Sequence, residues 1–177
     1  MTGKLDKPRA TGMAASAPPV KRMSLLWAVP GHAAEIARLH AEMFPDPWDE
    51  AAVMRLLAHP GSVALVASHG TPTELSGFAL AQIAADEAEI LTLGVAADFR
   101  RTGVGKSLVE GIKRAAAKGG ARTLFLEVAA SNKSAMALYA RTGLAETARR
   151  KGYYVRAGAA PEDAIVMRCT LASAGNA

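Results

Sequence analysis

The 177 residues predict an α/β fold: a mixed sheet, mostly antiparallel, with a central parallel junction and helices on its flanks. Three observations carry that prediction. Residues 62–68, 75–84 and 88–95 are β-branched and aliphatic runs separated by short turns at 69–73 and 85–87, the pattern of an antiparallel meander. After residue 95 the pattern changes to loop, helix, strand, helix, and a right-handed crossover of that kind joins parallel strands. Half the residues are hydrophobic and 21% are charged, so the chain can bury a core without disulfide or metal staples.

The elements follow in order. Residues 1–22 mix Thr, Gly, Pro, Ala, Ser and Lys without periodicity, the composition of a disordered N-terminal tail. A single domain is expected over 23–172, with a short C-terminal tail at 173–177. A strand is predicted at 24–29, and 31–43 repeats apolar residues at Ala33, Ile36, Ala37 and Leu39, a helical period. Phe44-Pro45-Asp46-Pro47-Trp48 stops that helix, and Asp46 with Pro47 signals a second one through Leu57 by capping and a preset dihedral. Beyond the meander come a loop at 96–103, a helix at 104–118 ended by Gly119-Gly120, a strand at 123–128 and a helix from about Asn132 to Arg141 stopped by Gly143. Two further strands are expected at 144–149 and 164–171.

Charge is unevenly distributed. Residues 24–95 hold two basic and nine acidic side chains, whereas 96–156 hold thirteen basic and four acidic ones. Such a field suits a polyanion beside the central segment and a cationic partner near the first half. No run approaches the roughly 18 apolar residues of a membrane helix. Lys21-Arg22 precede an apolar run at 23–29, but it is short, broken by Pro30-Gly31 and preceded by more than twenty residues, so it is a poor secretory signal. A cytoplasmic protein without a membrane partner is expected. One cysteine, Cys169, excludes a disulfide framework and a Cys-based zinc site, and His32, His40, His59 and His69 stand at no ligand spacing, so no metal is expected. Arg149, Arg150 and Lys151 lack the interleaved aromatics of a nucleic-acid reader.

The most informative segment is Leu91-Thr92-Leu93-Gly94-Val95 followed by Arg100-Arg101-Thr102-Gly103-Val104-Gly105-Lys106-Ser107. A glycine loop between a strand and a helix start offers unpaired backbone N–H groups and the positive end of the helix dipole to phosphate oxygens. Gly103 and Gly105 let the backbone approach an anion, and Arg100, Arg101 and Lys106 add charge. A Walker A loop would need glycine at Arg100, and a dinucleotide fingerprint would need it at Leu108. The pattern that fits is R/Q-x-x-G-x-G/A, and with it the chain resembles the GNAT superfamily of N-acetyltransferases.

Within that superfamily the sequence is most similar to the ribosomal-protein-alanine N-acetyltransferases. The similarity rests on Phe44-Pro45-Asp46-Pro47-Trp48, the glycine loop, Leu126-Glu127-Val128 with Ser131-Asn132 and Ala137-Leu138-Tyr139, and Arg149-Arg150-Lys151-Gly152-Tyr153-Tyr154 followed by Glu162-Asp163-Ala164-Ile165-Val166-Met167. Asp46-Pro47 widens the family's usual F-P-W, and Gly152 replaces a larger residue before the tyrosine pair. The resemblance implies acetyl-coenzyme A as cosubstrate and the N-terminal α-amine of a protein as acceptor, in the family the alanine of a small-subunit ribosomal protein. It places a general base at Glu127 and a general acid at Tyr139, and the cofactor on Leu93, Gly94, Val95, Arg100, Arg101, Thr102, Gly103, Val104, Gly105, Lys106 and Asn132. A small amine or a lysine side chain as acceptor, or a coenzyme A-binding module without turnover, are the alternatives.

Those residue types suit the chemistry. An α-ammonium group has a pKa near 7.7–8.0 and must lose a proton before it attacks, which a carboxylate such as Glu127 can accept directly or through water. Partial burial in its apolar strand is expected to raise the Glu127 pKa. A backbone N–H near Val95 can stabilise the oxyanion, and the departing thiolate gains from a donor such as the Tyr139 hydroxyl.

Overall fold

The computed structural model describes residues 23–70, 74–155 and 160–172. The expected tails at 1–22 and 173–177 lie outside them. Seven strands form one sheet: β1 (Met23–Trp27), β2 (Ser62–His69), β3 (Glu74–Ala84), β4 (Glu87–Val95), β5 (Thr123–Ala129), β6 (Ala145–Tyr154) and β7 (Glu162–Thr170). Four helices accompany them: α1 (Ala33–Met43), α2 (Glu50–Ala58), α3 (Val104–Lys118) and α4 (Lys133–Arg141). The strand order is β1-β2-β3-β4-β5-β7-β6, and β4–β5 is the parallel pair in an otherwise antiparallel ladder. The mixed sheet with its central parallel junction is as the sequence predicts.

Helices cover both faces. On one, Leu108, Val109 and Ile112 of α3 pack on Leu65, Ala79, Ala81, Ile90, Leu124 and Leu126, joined by Tyr139 of α4. On the other, Ile36 and Leu39 of α1 and Val53 of α2 pack on Val66, Phe78 and Leu80. Each fully buried Leu, Ile or Phe contributes about 1.5–3 kcal/mol of transfer free energy, and these two clusters hold the layers together.

Two local expectations need correction. The second helix starts at Glu50 rather than at Asp46-Pro47: Asp49 is its N-cap, accepting from the Ala52 N–H at 2.7 Å. The residues before it are held by His40, whose Nδ1 accepts the Trp48 N–H at 3.2 Å and whose buried ring stacks on Phe44 and Trp48. Burial lowers the His40 pKa, which suits a neutral imidazole accepting at Nδ1. The strand expected at 144–149 runs on to Tyr154, because β7 continues to pair with it past a break in register between Arg150 and Tyr154. At that break Gly152 takes φ +60, a left-handed conformation that favours glycine.

Candidate active site

The site forms where the central strands part. β4 and β5 pair at Glu87↔Thr123, Ala88↔Leu124 and Glu89↔Phe125, and no further ladder partners join them among the described residues. Beyond that point β4 runs to Val95 and β5 to Ala129 along the two sides of a cleft. β4 also carries a bulge, because Ala81 pairs with Ile90 but Leu80 pairs with Thr92, leaving Leu91 as the extra residue. The bulge reverses the alternation of faces. Ile90 packs with the α3 layer, whereas Gly94 lies against Phe78 and Met43 on the α1 side, so close that a Cβ there would stand 2.8 Å from both. Leu93 and Val95, the predicted cofactor contacts, turn to the α3 layer.

β4 leads into α3 through a 3₁₀ turn at Ala97–Phe99 and the glycine loop. Arg101 has φ +62 and Gly103 φ +98, two left-handed residues one apart. Gly103 is the N-cap of α3, and no side chain caps the helix. The first N–H groups of α3, from Val104, Gly105 and Lys106, have no acceptor within their own helix. Such a turn at a helix N-terminus is an anion cradle, and the exposed Arg101 and Lys106 add cations to it. These donors fit a diphosphate. Arg100 and Thr102 instead brace the loop: Arg100 Nε donates to the Val95 carbonyl at 3.1 Å and the Thr102 hydroxyl to the Phe99 carbonyl at 2.6 Å. Gly105 lies beside Leu138 of α4, where a Cβ would stand 3.0 Å from Cδ2. Asn132 caps α4, its Oδ1 accepting from the Ala135 N–H at 3.1 Å, which leaves its amide NH₂ available to a ligand.

Glu127 and Tyr139 lie on opposite faces of the sheet. Glu127 alternates with the buried Leu126 and Val128, so it points away from the α3–α4 layer. Tyr139 belongs to that layer and is 7% exposed. Its hydroxyl has no hydrogen-bond partner among the described residues, and the oxygen is not among those fully enclosed without one. Burial pushes its pKa up to about 12, which keeps it protonated at any ordinary pH.

Sequence reasoning missed two neighbours of Glu127. Glu89, in register with Phe125, shares the Glu127 face, and its pKa is raised first by burial and then by the Glu127 charge. Arg150 on β6 donates from Nη1 to Glu127 Oε1 at 2.8 Å, and its guanidinium lies 3.7 Å from the centre of the Tyr153 ring. Glu127 therefore has a cationic partner that the sequence does not reveal. A shallow pocket of about 110 Å³ on the same face is lined by Gln82, Ala84, Glu87, Glu89 and Phe125. Among the described residues, no group of three or more His, Cys, Asp or Glu is gathered to hold a metal ion, and no helix is long and apolar enough to cross a membrane.

The chain is 39% identical over 94 residues to the ribosomal protein bS18-alanine N-acetyltransferase of Escherichia coli (strain K12). That overlap covers 53% of this chain and 63% of the relative, less than two thirds of its length. It is 35% identical over 136 residues to the N-alpha-acetyltransferase RimI of Mycobacterium tuberculosis, covering 75% of this chain and 82% of that protein. Among solved structures, the ribosomal-protein-S18-alanine N-acetyltransferase from Escherichia coli superposes with a TM-score of 0.77 at 27% identity, over 88% of this chain and 97% of that one. Residues 33–144, which carry α1, the parting strands, the glycine loop and α4, match the model of the Acetyltransferase (GNAT) family, and the chain belongs to that family.

Proposed function

We propose that this protein transfers acetyl from acetyl-coenzyme A to the N-terminal α-amine of a protein in the cytoplasm, with the alanine of a small-subunit ribosomal protein as the acceptor to which the relatives' names point. The observation that carries the reading is the cleft between β4 and β5, with an anion cradle at its α3 end, a carboxylate on one face and a protonated phenol on the other.

Acetyl-coenzyme A supplies an acyl carbon activated as a thioester. The amides of 101–106 with Arg101 and Lys106 hold its diphosphate, and the Asn132 amide group adds a donor. Main-chain groups of Leu93, Gly94 and Val95, left without ladder partners on the β5 side, align the rest of the cosubstrate and offer an N–H to the carbonyl oxygen as charge develops there. The acceptor amine enters from the face shared by Glu89 and Glu127. Glu127 takes one proton from the ammonium, directly or through water. The amine nitrogen then adds to the acyl carbon while the carbonyl oxygen takes the charge. The tetrahedral adduct collapses with cleavage of the C–S bond, the Tyr139 hydroxyl donating a hydrogen bond to the departing thiolate and the second proton leaving nitrogen to that thiolate or to solvent. A base on one side and a donor on the other let the entering nitrogen and the departing sulfur be served by different groups. Holding amine and thioester together in the cleft supplies the rest of the acceleration.

The test is an acceptor panel. Purified protein with acetyl-coenzyme A should release thiol with a peptide beginning in Ala, and more slowly with polyamines or with a peptide whose only amine is a lysine side chain. Preference for the free amines would move the acceptor to that class. Tight acetyl-coenzyme A binding with no product from any amine would leave a binding module.

A further inference from the structure

The basic run 149–151 lies on an exposed strand at the sheet edge, yet one member reaches the centre of the site. Arg150 pairs with Ala164 on β7, and Ala164 pairs with Ala129 on β5. Glu127, two residues before Ala129, projects from the same face of β5. Strands lie about 4.8 Å apart, so β5 and β6 are separated by roughly 10 Å, and the Arg150 side chain must cross β7 to touch Glu127. On that face β7 presents Ala164 level with Arg150 and Val166 level with Glu127, and Ala164 is fully buried with only a methyl group there. The guanidinium then meets Glu127 Oε1 at 2.8 Å and rests on the Tyr153 ring.

The strand segment that carries this arm is fixed. The Gly152 N–H donates to Asp163 Oδ1 at 2.9 Å, and Arg149 Nη1 donates to Asp163 Oδ2 at 3.5 Å. Asp163 thus holds the kinked part of β6 on both sides of Arg150. The charged and titratable groups facing Glu127 are Glu87 and Glu89 on β4, Arg168 on β7, and Arg150 and Tyr153 on β6. Arg168 is engaged by Glu87 at 2.8 Å. Glu89 has no ion-pair partner among the described residues, and Arg150 is the cation paired with Glu127 on that face.

We propose that Arg150 is a positioning residue for acetyl transfer: it holds one oxygen of Glu127 and leaves the other to face the acceptor amine. The inference rests on the acetyl-transfer reading above. The Arg150 guanidinium, resting on the Tyr153 ring, gives Glu127 Oε1 a directed donor at a fixed place, and misplacing a reacting group by about 1 Å costs as much as a hundredfold in rate.

The experiment compares wild type, Arg150→Gln and Arg150→Lys in steady-state acetylation of an Ala-initiated peptide, with kcat and the KM of each substrate read separately and acetyl-coenzyme A binding measured by calorimetry. Arg150 is half exposed, so neither substitution removes core packing. Arg150→Gln should lower kcat between about ten- and a hundredfold with the acetyl-coenzyme A KM and its binding unchanged. Arg150→Lys should recover part of the lost kcat but not all of it. If wild type is active and Arg150→Gln leaves kcat unchanged, or raises kcat/KM for the peptide, the positioning role is overturned while the acetyl-transfer reading stands. An inactive wild type overturns the acetyl-transfer reading itself, and the positioning role with it.

Discussion

Replacing Tyr139 by Phe removes one hydroxyl from a side chain that is 7% exposed and leaves the ring packed against the α3 layer. The structure sets the size of the effect. With its pKa near 12, the phenol would have to climb about 3.5 units to surrender its proton fully to a thiolate of pKa about 8.5, close to 5 kcal/mol. In the proposed reaction Tyr139 is therefore a hydrogen-bond donor to the developing thiolate, and a bond to a charged partner contributes about 1.5–3 kcal/mol. Tyr139→Phe should reduce kcat by about ten- to a hundredfold while the acetyl-coenzyme A KM stays within about twofold. Because the phenol is protonated throughout the working range, the wild-type pH–rate profile should show no alkaline limb from Tyr139 below pH 10. The same burial has a stability signature. A folded-state pKa above the unfolded value of about 10 contributes stability present below pH 10 and lost as pH rises toward 12, about 3 kcal/mol over that window. Thiol-release assays from pH 6 to 10, with urea unfolding of both proteins at pH 8 and 11, check both statements. An unchanged kcat in Tyr139→Phe, or an alkaline limb near pH 8.5 that the substitution abolishes, would refute the reasoning.

Other perturbations follow from the same geometry. Glu127→Gln should slow acetylation of an Ala peptide by about a hundred- to ten-thousandfold and leave acetyl-coenzyme A binding by calorimetry unchanged. Glu89→Gln should raise Tm at pH 7, because burial and the Glu127 charge penalise its ionised form; the gain should shrink as pH falls and the wild-type carboxylate takes up its proton, and a gain that grows on acidification would contradict the assignment. Gly94→Ala should lower stability by about 1–3 kcal/mol in denaturant unfolding, since its Cβ would stand 2.8 Å from the buried Phe78 ring. Gly103→Val, forcing a β-branched residue to φ +98, should weaken acetyl-coenzyme A binding by calorimetry far more than it lowers Tm.

What was legible in the sequence is what local chemistry dictates. Gly103 announces its position because a left-handed turn at a helix start favours glycine, and Asn132 announces the start of α4 because a cap needs an acceptor. The meander and the crossover follow from period and turn signals. The rest depends on contacts that sequence order hides. Asp46-Pro47 carries a helix-start signal, but His40, eight residues before Trp48, holds that segment out of the helix until Asp49. Glu89 joins Glu127 only because the parallel register sets Glu89 against Phe125 and the bulge at Leu91 falls after it. Arg150 reaches Glu127 only because β7 inserts between β5 and β6 and places Ala164 beneath the arm. Arg101 adopts φ +62 without a glycine to mark it.

The claim on which the account depends is that the parted strands seat a thioester between Glu127 and Tyr139. A crystal structure of the protein with acetyl-coenzyme A measures it. The account predicts the diphosphate on the amides of 101–106, the acyl carbon level with Leu93 to Val95, the sulfur within hydrogen-bond reach of the Tyr139 hydroxyl, and an open path from the acyl carbon to the free Glu127 oxygen. A diphosphate bound away from that loop, or a thioester with Glu127 and Tyr139 on the same side of it, would contradict the account.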